Sequence, residues 1–105
     1  TAGVGNAELL AHLPAKAWLV NVGRGATVDE QALAAALRAG TLAGAALDVT
    51  AVEPLPAESE LWTAPNLILT PHSAGGRPLG AEELIEFNLA ALLAGTPLRN
   101  VVRQA

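Results

Sequence analysis

The chain has 105 residues, is 51% apolar and only 15% charged, and carries no cysteine and a formal net charge of −4. That composition excludes disorder, a disulfide framework and thiolate metal sites, and the six basic residues are too scattered to form a stripe for nucleic acid. No apolar run reaches the roughly 18 residues of a membrane span and no signal peptide is recognisable, so a single small cytoplasmic domain with no membrane partner is expected. A chain so rich in Ala and Leu is also expected to be covered by further protein.

In chain order, Asn6 caps a short helix running to about His12, ahead of Pro14. The run Ala17 to Val22 is almost continuously apolar, which suits a strand buried on both faces of a parallel sheet. Gly23-Arg24-Gly25 breaks it. Thr27 with Glu30 three residues on forms a capping box, with Asp29 as an alternative cap. Leu33 and Leu37 then share a helix face, and Gly40 supplies a left-handed stop. A second strand follows from Ala43 to Val49, where Gly44 admits a closely packed helix. Strand, helix and strand make a βαβ unit with a right-handed crossover.

The segment Thr50 to Asn66, with Pro54, Pro56 and Pro65, is long for a structureless connection, and such loops are often functional. Leu67 to Thr70 is a third strand, ended by Pro71. A helix is expected from about Pro78 to Ala94. Leu84, Ile85, Leu89, Leu92 and Leu93 form its apolar stripe, Glu82, Glu83 and Glu86 lie near its N-terminal end, and Gly95 is its stop. The tail from Thr96 to Ala105 carries Val101-Val102, which suggests an edge strand added elsewhere. The fold class is α/β, a partial open parallel sheet followed by a C-terminal helix.

Arg24, Glu53 and His72 each fall just past an expected strand or in the loop after one. In an open parallel sheet these positions share the edge where ligands bind. Arg24 suits a carboxylate, which a guanidinium grips through two parallel hydrogen bonds; the competing reading is a surface arginine in a turn. His72 can donate and accept protons near neutrality, unless it is a capping or core histidine. A carboxylate beside it would fix its tautomer and stabilise its charged form. Glu53 is one candidate, held extended by the proline after it, but Glu58 and Glu60 lie close by and the residues alone do not choose among them. Asp48 ends an apolar strand, where an unpartnered carboxylate is costly, so it must be paired or face a ligand. His12 reads as a surface residue. No serine sits in a nucleophile elbow, and no His and Glu grouping suits zinc. Gly3-Val-Gly5 and Gly23-Arg-Gly25 are only fragments of a dinucleotide fingerprint.

Taken together, several motifs resemble one family. Asn21-Val-Gly-Arg-Gly25, Val28-Asp-Glu30, Gly44-Ala-Ala-Leu-Asp-Val49, Glu53-Pro54, and Thr70-Pro-His72 with Ala74-Gly75 are similar to the D-isomer-specific 2-hydroxyacid dehydrogenases. Arg24 to Glu53 spans 29 positions and Glu53 to His72 spans 19, which fits the family's order. Glu53-Pro-Leu-Pro56 with Leu61-Trp62 looks like its glyoxylate/hydroxypyruvate reductase side.

The resemblance implies that residues 1–76 are the C-terminal half of a Rossmann-type NAD(P)-binding domain. It implies that residues 77–105 are a helix and tail returning to a substrate domain that lies, with the N-terminal half of the enzyme, outside this sequence. Arg24, Glu53 and His72 would be catalytic. Val22, Gly23, Arg24, Asp48, His72, Ser73, Ala74 and Gly75 would line the site of NAD or NADP. The substrate would be a small 2-oxo or 2-hydroxy acid, and the full-length protein a homodimer. Arg24 would hold the substrate carboxylate and polarise its ketone, His72 would protonate the developing alkoxide, and Glu53 would support the imidazolium. The family's glycine-rich loop and ribose-reading acid are absent here, so the chain alone is expected to be inactive. Ser73 and Gly76-Arg77-Pro78 are less typical of the family. The alternatives are a non-enzymatic corepressor-like protein, or a structural module that docks through its truncated sheet.

Overall fold

A computed structural model describes residues 2–76 and 78–102, which divide into two units between Gly75 and Gly76. Arg77, at the expected domain boundary, and residues 103–105 of the expected tail lie outside the described residues.

The first unit is built on three parallel strands, β1 (Trp18–Asn21), β2 (Gly44–Leu47) and β3 (Leu67–Leu69), in the order β1-β2-β3. Because all three run the same way, their C-terminal ends share one edge. The alternation of side chains across a strand sends Leu19, Asn21, Ala45, Leu47, Leu67 and Leu69 to one face. That face packs into the core with Leu33, Ala34 and Leu37 of helix α2 (Glu30–Ala39), Leu10 of helix α1 (Ala7–His12), Leu42 and Leu61. Each Leu buried this fully stabilises the fold by about 2 kcal/mol.

The opposite face is open. Trp18, Val20 and Ile68 lie on it, with Val20 66% exposed. The expectation that β1 is buried on both faces therefore fails. Apolar content alone does not reveal whether a second layer of helices covers both sides. Gly44 also has a different reason from the expected one. A β-carbon there would fall 2.5 Å from the Trp18 indole, so Gly44 makes room for a tryptophan on the neighbouring strand.

Local signals account for the helices. The Asn6 side chain accepts from Leu9 N at 3.0 Å and opens α1. The first cap of α2 is Asp29, whose Oδ1 accepts from Ala32 N at 3.1 Å. Thr27 lies in a 3-10 turn, Gly25–Thr27, so the alternative cap replaces the expected Thr27–Glu30 box. Gly40 closes α2 in the left-handed region at φ 73°. His12 is exposed as expected, but its Nδ1 has a partner, donating to Glu8 O at 2.7 Å.

The loop after β2 is not structureless. It contains a 3-10 turn, Glu60–Thr63, capped by Ser59. Arg38 of α2 clamps this turn through Glu60 O, Glu60 Oε2 and Thr63 Oγ1. The Glu53–Pro54 peptide bond is cis. Among the described residues no helix is long and apolar enough to cross a membrane.

In the second unit, helix α3 (Ala81–Ala94) begins three residues later than expected, after Gly80 at φ 79°, and ends at Gly95. Its stripe residues Ile85, Leu89, Leu92 and Leu93 are exposed. The expected tail strand is not seen through Val102. Instead the Asn88 side chain takes both backbone groups of Arg99, accepting from its N–H at 2.9 Å and donating to its carbonyl at 3.0 Å. Those are the groups a strand ladder would need. The Arg99 guanidinium lies 3.9 Å from the centre of the Phe87 ring, a cation–π distance.

Candidate active site

Each strand of the sheet ends in a polar group that shapes the loop after it. At the end of β1, Asn21 is a buried polar residue, 9% exposed. Its Oδ1 accepts from Gly23 N at 3.1 Å and its Nδ2 donates to Arg24 O at 3.0 Å. The side chain thus pins both sides of the turn that presents Arg24. The Arg24 guanidinium is exposed, and Nη1 donates to Gly23 O at 2.9 Å. After Arg24, the chain runs beside the N-terminal segment, with Gly5 N donating to Thr27 O and Asp29 N to Gly5 O.

Gly25 is buried, and a β-carbon there would fall 1.9 Å from the Thr50 carbonyl carbon. The glycine after Arg24 therefore lets the loop following β1 touch the backbone following β2. Gly23 is less constrained, with 3.6 Å to the nearest atom.

At the end of β2, Asp48 is 6% exposed and its carboxylate is fully engaged. Oδ1 accepts the Thr70 hydroxyl and the Ser73 amide, and Oδ2 accepts the Ala74 amide; both amide bonds are 2.9 Å. These bonds, the Thr70 hydroxyl first and then the two amides, hold the Asp48 carboxyl below the usual carboxylate range, because hydrogen bonding to the charged form favours it. The pairing alternative offered for Asp48 is thus the one realised, and its partners are 22 to 26 positions away.

At the end of β3, His72 adopts φ 52°, a left-handed conformation that costs a non-glycine residue about 1 kcal/mol. The amides bound by Asp48 lie immediately after it and secure the turn. The His72 Nδ1–H donates to Glu53 Oε2 at 2.7 Å. The other carboxylate oxygen, Oε1, accepts from Thr50 N at 3.2 Å. His72 and then the Thr50 amide hold the Glu53 carboxyl below its usual range. The geometry thus distinguishes Glu53 from its neighbours: Glu60 pairs with Arg38 at 3.4 Å, and Glu58 borders a separate hollow beside α2.

Glu53, His72 and Asp48 line a hollow of about 650 Å³, completed by Thr50, Thr70 and an apolar wall that includes Leu55, Trp62 and Leu69. The Trp62 indole N–H is fixed by Pro56 O at 2.7 Å. The lining does not include Arg24, Val22 or Gly23. Arg24 shares the sheet edge with His72, but it follows β1, with β2 between them. Val22 is exposed, and the space around Gly75 is open.

The arrangement has a clear chemical capacity. With Nδ1 held by a carboxylate, the imidazole has a fixed tautomer and Nε2 remains for proton exchange. An exposed guanidinium on the same edge can grip a carboxylate. Among the described residues no group of His, Asp and Glu side chains could hold a metal ion. Two contributors were missed in the sequence, Asn21 and Thr70. Asn21 carried the same signal that flagged Asp48, a polar residue in an apolar run. Thr70 carried none, since its partner is distant in the chain.

Comparison with known proteins places these features in context. Residues 1–74 match the family model described as D-isomer specific 2-hydroxyacid dehydrogenase, NAD binding domain. A glyoxylate/hydroxypyruvate reductase A from Klebsiella pneumoniae is 45% identical over 97% of this chain and 33% of its own length. A protein of the same name from Salmonella newport is 44% identical over all of this chain and 34% of its own. Among solved structures, a D-isomer specific 2-hydroxyacid dehydrogenase from Xanthobacter autotrophicus Py2, in complex with NADPH and MES, is 50% identical with a TM-score of 0.85, covering 98% of this chain and 43% of that one. An NADPH-dependent glyoxylate/hydroxypyruvate reductase from Sinorhizobium meliloti, in complex with NADP and sulfate, is 37% identical with a TM-score of 0.83, covering 97% and 34%. The chain spans about one third of the length of the curated relatives it matches.

Proposed function

The chain belongs to the D-isomer-specific 2-hydroxyacid dehydrogenase family, and from that premise we propose that it is the catalytic-edge part of a reductase converting small 2-oxo acids, of the glyoxylate and hydroxypyruvate type, to D-2-hydroxy acids. The observation that carries this reading is the 2.7 Å contact between His72 Nδ1 and Glu53 Oε2 at the end of a parallel sheet.

In this reading Arg24, Glu53 and His72 are the catalytic residues. Arg24 binds the substrate carboxylate through its two-pronged guanidinium and draws electron density from the adjacent ketone. His72 delivers a proton from Nε2 to the oxygen that becomes the alcohol. Glu53 holds the imidazole in the orientation and tautomer that this transfer needs, and it stabilises the imidazolium before the proton leaves. Proton transfer of this kind contributes about 10²–10⁴ in rate.

The bound nicotinamide would supply the hydride. The exposed Val22 beside Gly23 and the open space at Gly75 suit the approach of a flat ring. Val22, Gly23, Arg24 and the run His72, Ser73, Ala74 and Gly75 are the residues proposed to line it, with Asp48 serving the site by fixing the Ser73 and Ala74 amides. The NADPH and NADP bound to the solved relatives favour NADPH over NADH.

Residues 1–76 are assigned to the second half of the cofactor domain and 77–105 to the return toward a substrate domain. The N-terminal part of the enzyme is the proposed partner, and the working form is a cytoplasmic homodimer. The test is NADPH consumption by the whole protein that carries these residues, with glyoxylate and hydroxypyruvate as substrates. His72→Asn is expected to lower kcat by about 10²–10⁴. Failure to oxidise NADPH with any small 2-oxo acid would refute the assignment.

A further inference from the structure

We propose that Glu30 is a positioning residue for the Glu53–His72 pair, acting through the Ala51 amide. This rests on the reading of that pair as the proton-transfer group. Glu30 is the first residue of α2, but the cap there is already supplied by Asp29, which accepts from Ala32 N. The Glu30 carboxylate reaches elsewhere, across 21 positions, and Oε2 accepts from Ala51 N at 2.7 Å. That length is typical of a charge-assisted bond.

Ala51 is the middle of a short relay. Its neighbour Thr50 donates its amide to Glu53 Oε1 at 3.2 Å and its hydroxyl to Val52 O at 2.9 Å. Glu53 then uses its other oxygen for His72. The Thr50 carbonyl and the Ala51 nitrogen are also the atoms that a β-carbon on Gly25 would strike. The peptide between Thr50 and Ala51 is therefore gripped by α2 and by the loop that presents Arg24, and it in turn sets the Glu53 carboxylate. Packing cannot substitute for this grip, because Ala51, Val52 and Glu53 are all exposed. The start of the loop is placed by hydrogen bonds, and the Glu30 bond ties it to α2, as Arg38 ties the later 3-10 turn to the same helix.

The proposed role needs the side chain's reach and an acceptor oxygen. Glutamine keeps both, whereas alanine removes the acceptor. In the whole protein, Glu30→Ala is expected to make the His72 Nδ1–H resonance exchange with solvent about tenfold faster. It should also lower kcat about tenfold, with KM changed less than about twofold, the pattern of a small misplacement of a catalytic group. Glu30→Gln should stay within about threefold of the parent in both readouts. An unchanged Nδ1–H signal in Glu30→Ala overturns the proposal, and so does a Glu30→Gln protein as impaired as Glu30→Ala. If the resonance responds while kcat does not, the positioning role holds and the reading of His72 as proton donor fails.

Discussion

Gly25 and Thr50 make backbone-to-backbone contact across the ends of β1 and β2, so tight that a β-carbon on Gly25 would lie 2.0 Å from the Thr50 oxygen. Neither atom belongs to a flexible side chain, so the clash has no cheap escape. Gly25→Ala is expected to destabilise the fold by about 3 kcal/mol, near the top of the range for overpacking. Urea unfolding of the two proteins measures this directly. A loss below about 1 kcal/mol would mean that the two loops part easily.

Arg24→Lys should separate function from stability. The guanidinium is exposed and makes its side-chain bond to its own neighbour, Gly23 O, so the unfolding midpoint should not move. Lysine lacks the planar fork, and a lost charged hydrogen-bond pair is worth about 3 kcal/mol, roughly 100-fold in kcat/KM. Steady-state kinetics of the whole protein with glyoxylate test the point. Unchanged kcat/KM would remove Arg24 from the substrate site.

Asp48 predicts a pH dependence of stability. Its carboxyl is held below the usual range in the fold, chiefly by the Thr70 hydroxyl and then by the Ser73 and Ala74 amides. A group with a depressed folded value stabilises the protein fully above its unfolded value of about 4, and loses that contribution as pH falls toward the folded value. Glu53 is depressed as well, by His72 first, and acts in the same direction. Asp48→Asn should therefore be less stable than the parent at pH 7, with the gap narrowing well below about pH 4. Thr70→Val should show the same trend more weakly. Urea midpoints across that range, equal for parent and Asp48→Asn throughout, would contradict the bonding described.

The 105-residue chain alone should not bind NADH or NADPH at micromolar concentration. The residues proposed to line the nicotinamide are present, but the sequence carries no glycine loop to cradle a diphosphate. Titration calorimetry showing micromolar affinity would overturn this expectation.

Much of the fold was legible because its signals are local. Asn6, Gly40 and Gly95 mark helix ends through their own conformations, and the spacing of Leu33 and Leu37 marks a face. The resemblance also named Glu53 and His72, which the fold brings into contact, and Arg24, which shares their sheet edge. What escaped depended on distant partners. The first turn of α2 moved from Thr27 to Asp29 because Thr27 belongs to the 3-10 turn after Gly25, whose placement is tied to Thr50. The open face of β1 depends on what covers it, which no pattern within Ala17 to Val22 records. Asp48 shows in the sequence that it needs partners but not that Thr70 is one of them, and Glu30 reads as half of a capping box although its carboxylate bonds Ala51, 21 positions away.

Trp62, locked by Pro56 against the hollow, gives the molecule an internal optical probe. Its emission should dim when an aromatic or nicotinamide ring comes near, whereas Trp18, on the bare side of the sheet, should be indifferent. Replacing Trp18 with phenylalanine would leave Trp62 as the one indole of these 105 residues, placed on the hollow that His72 also lines.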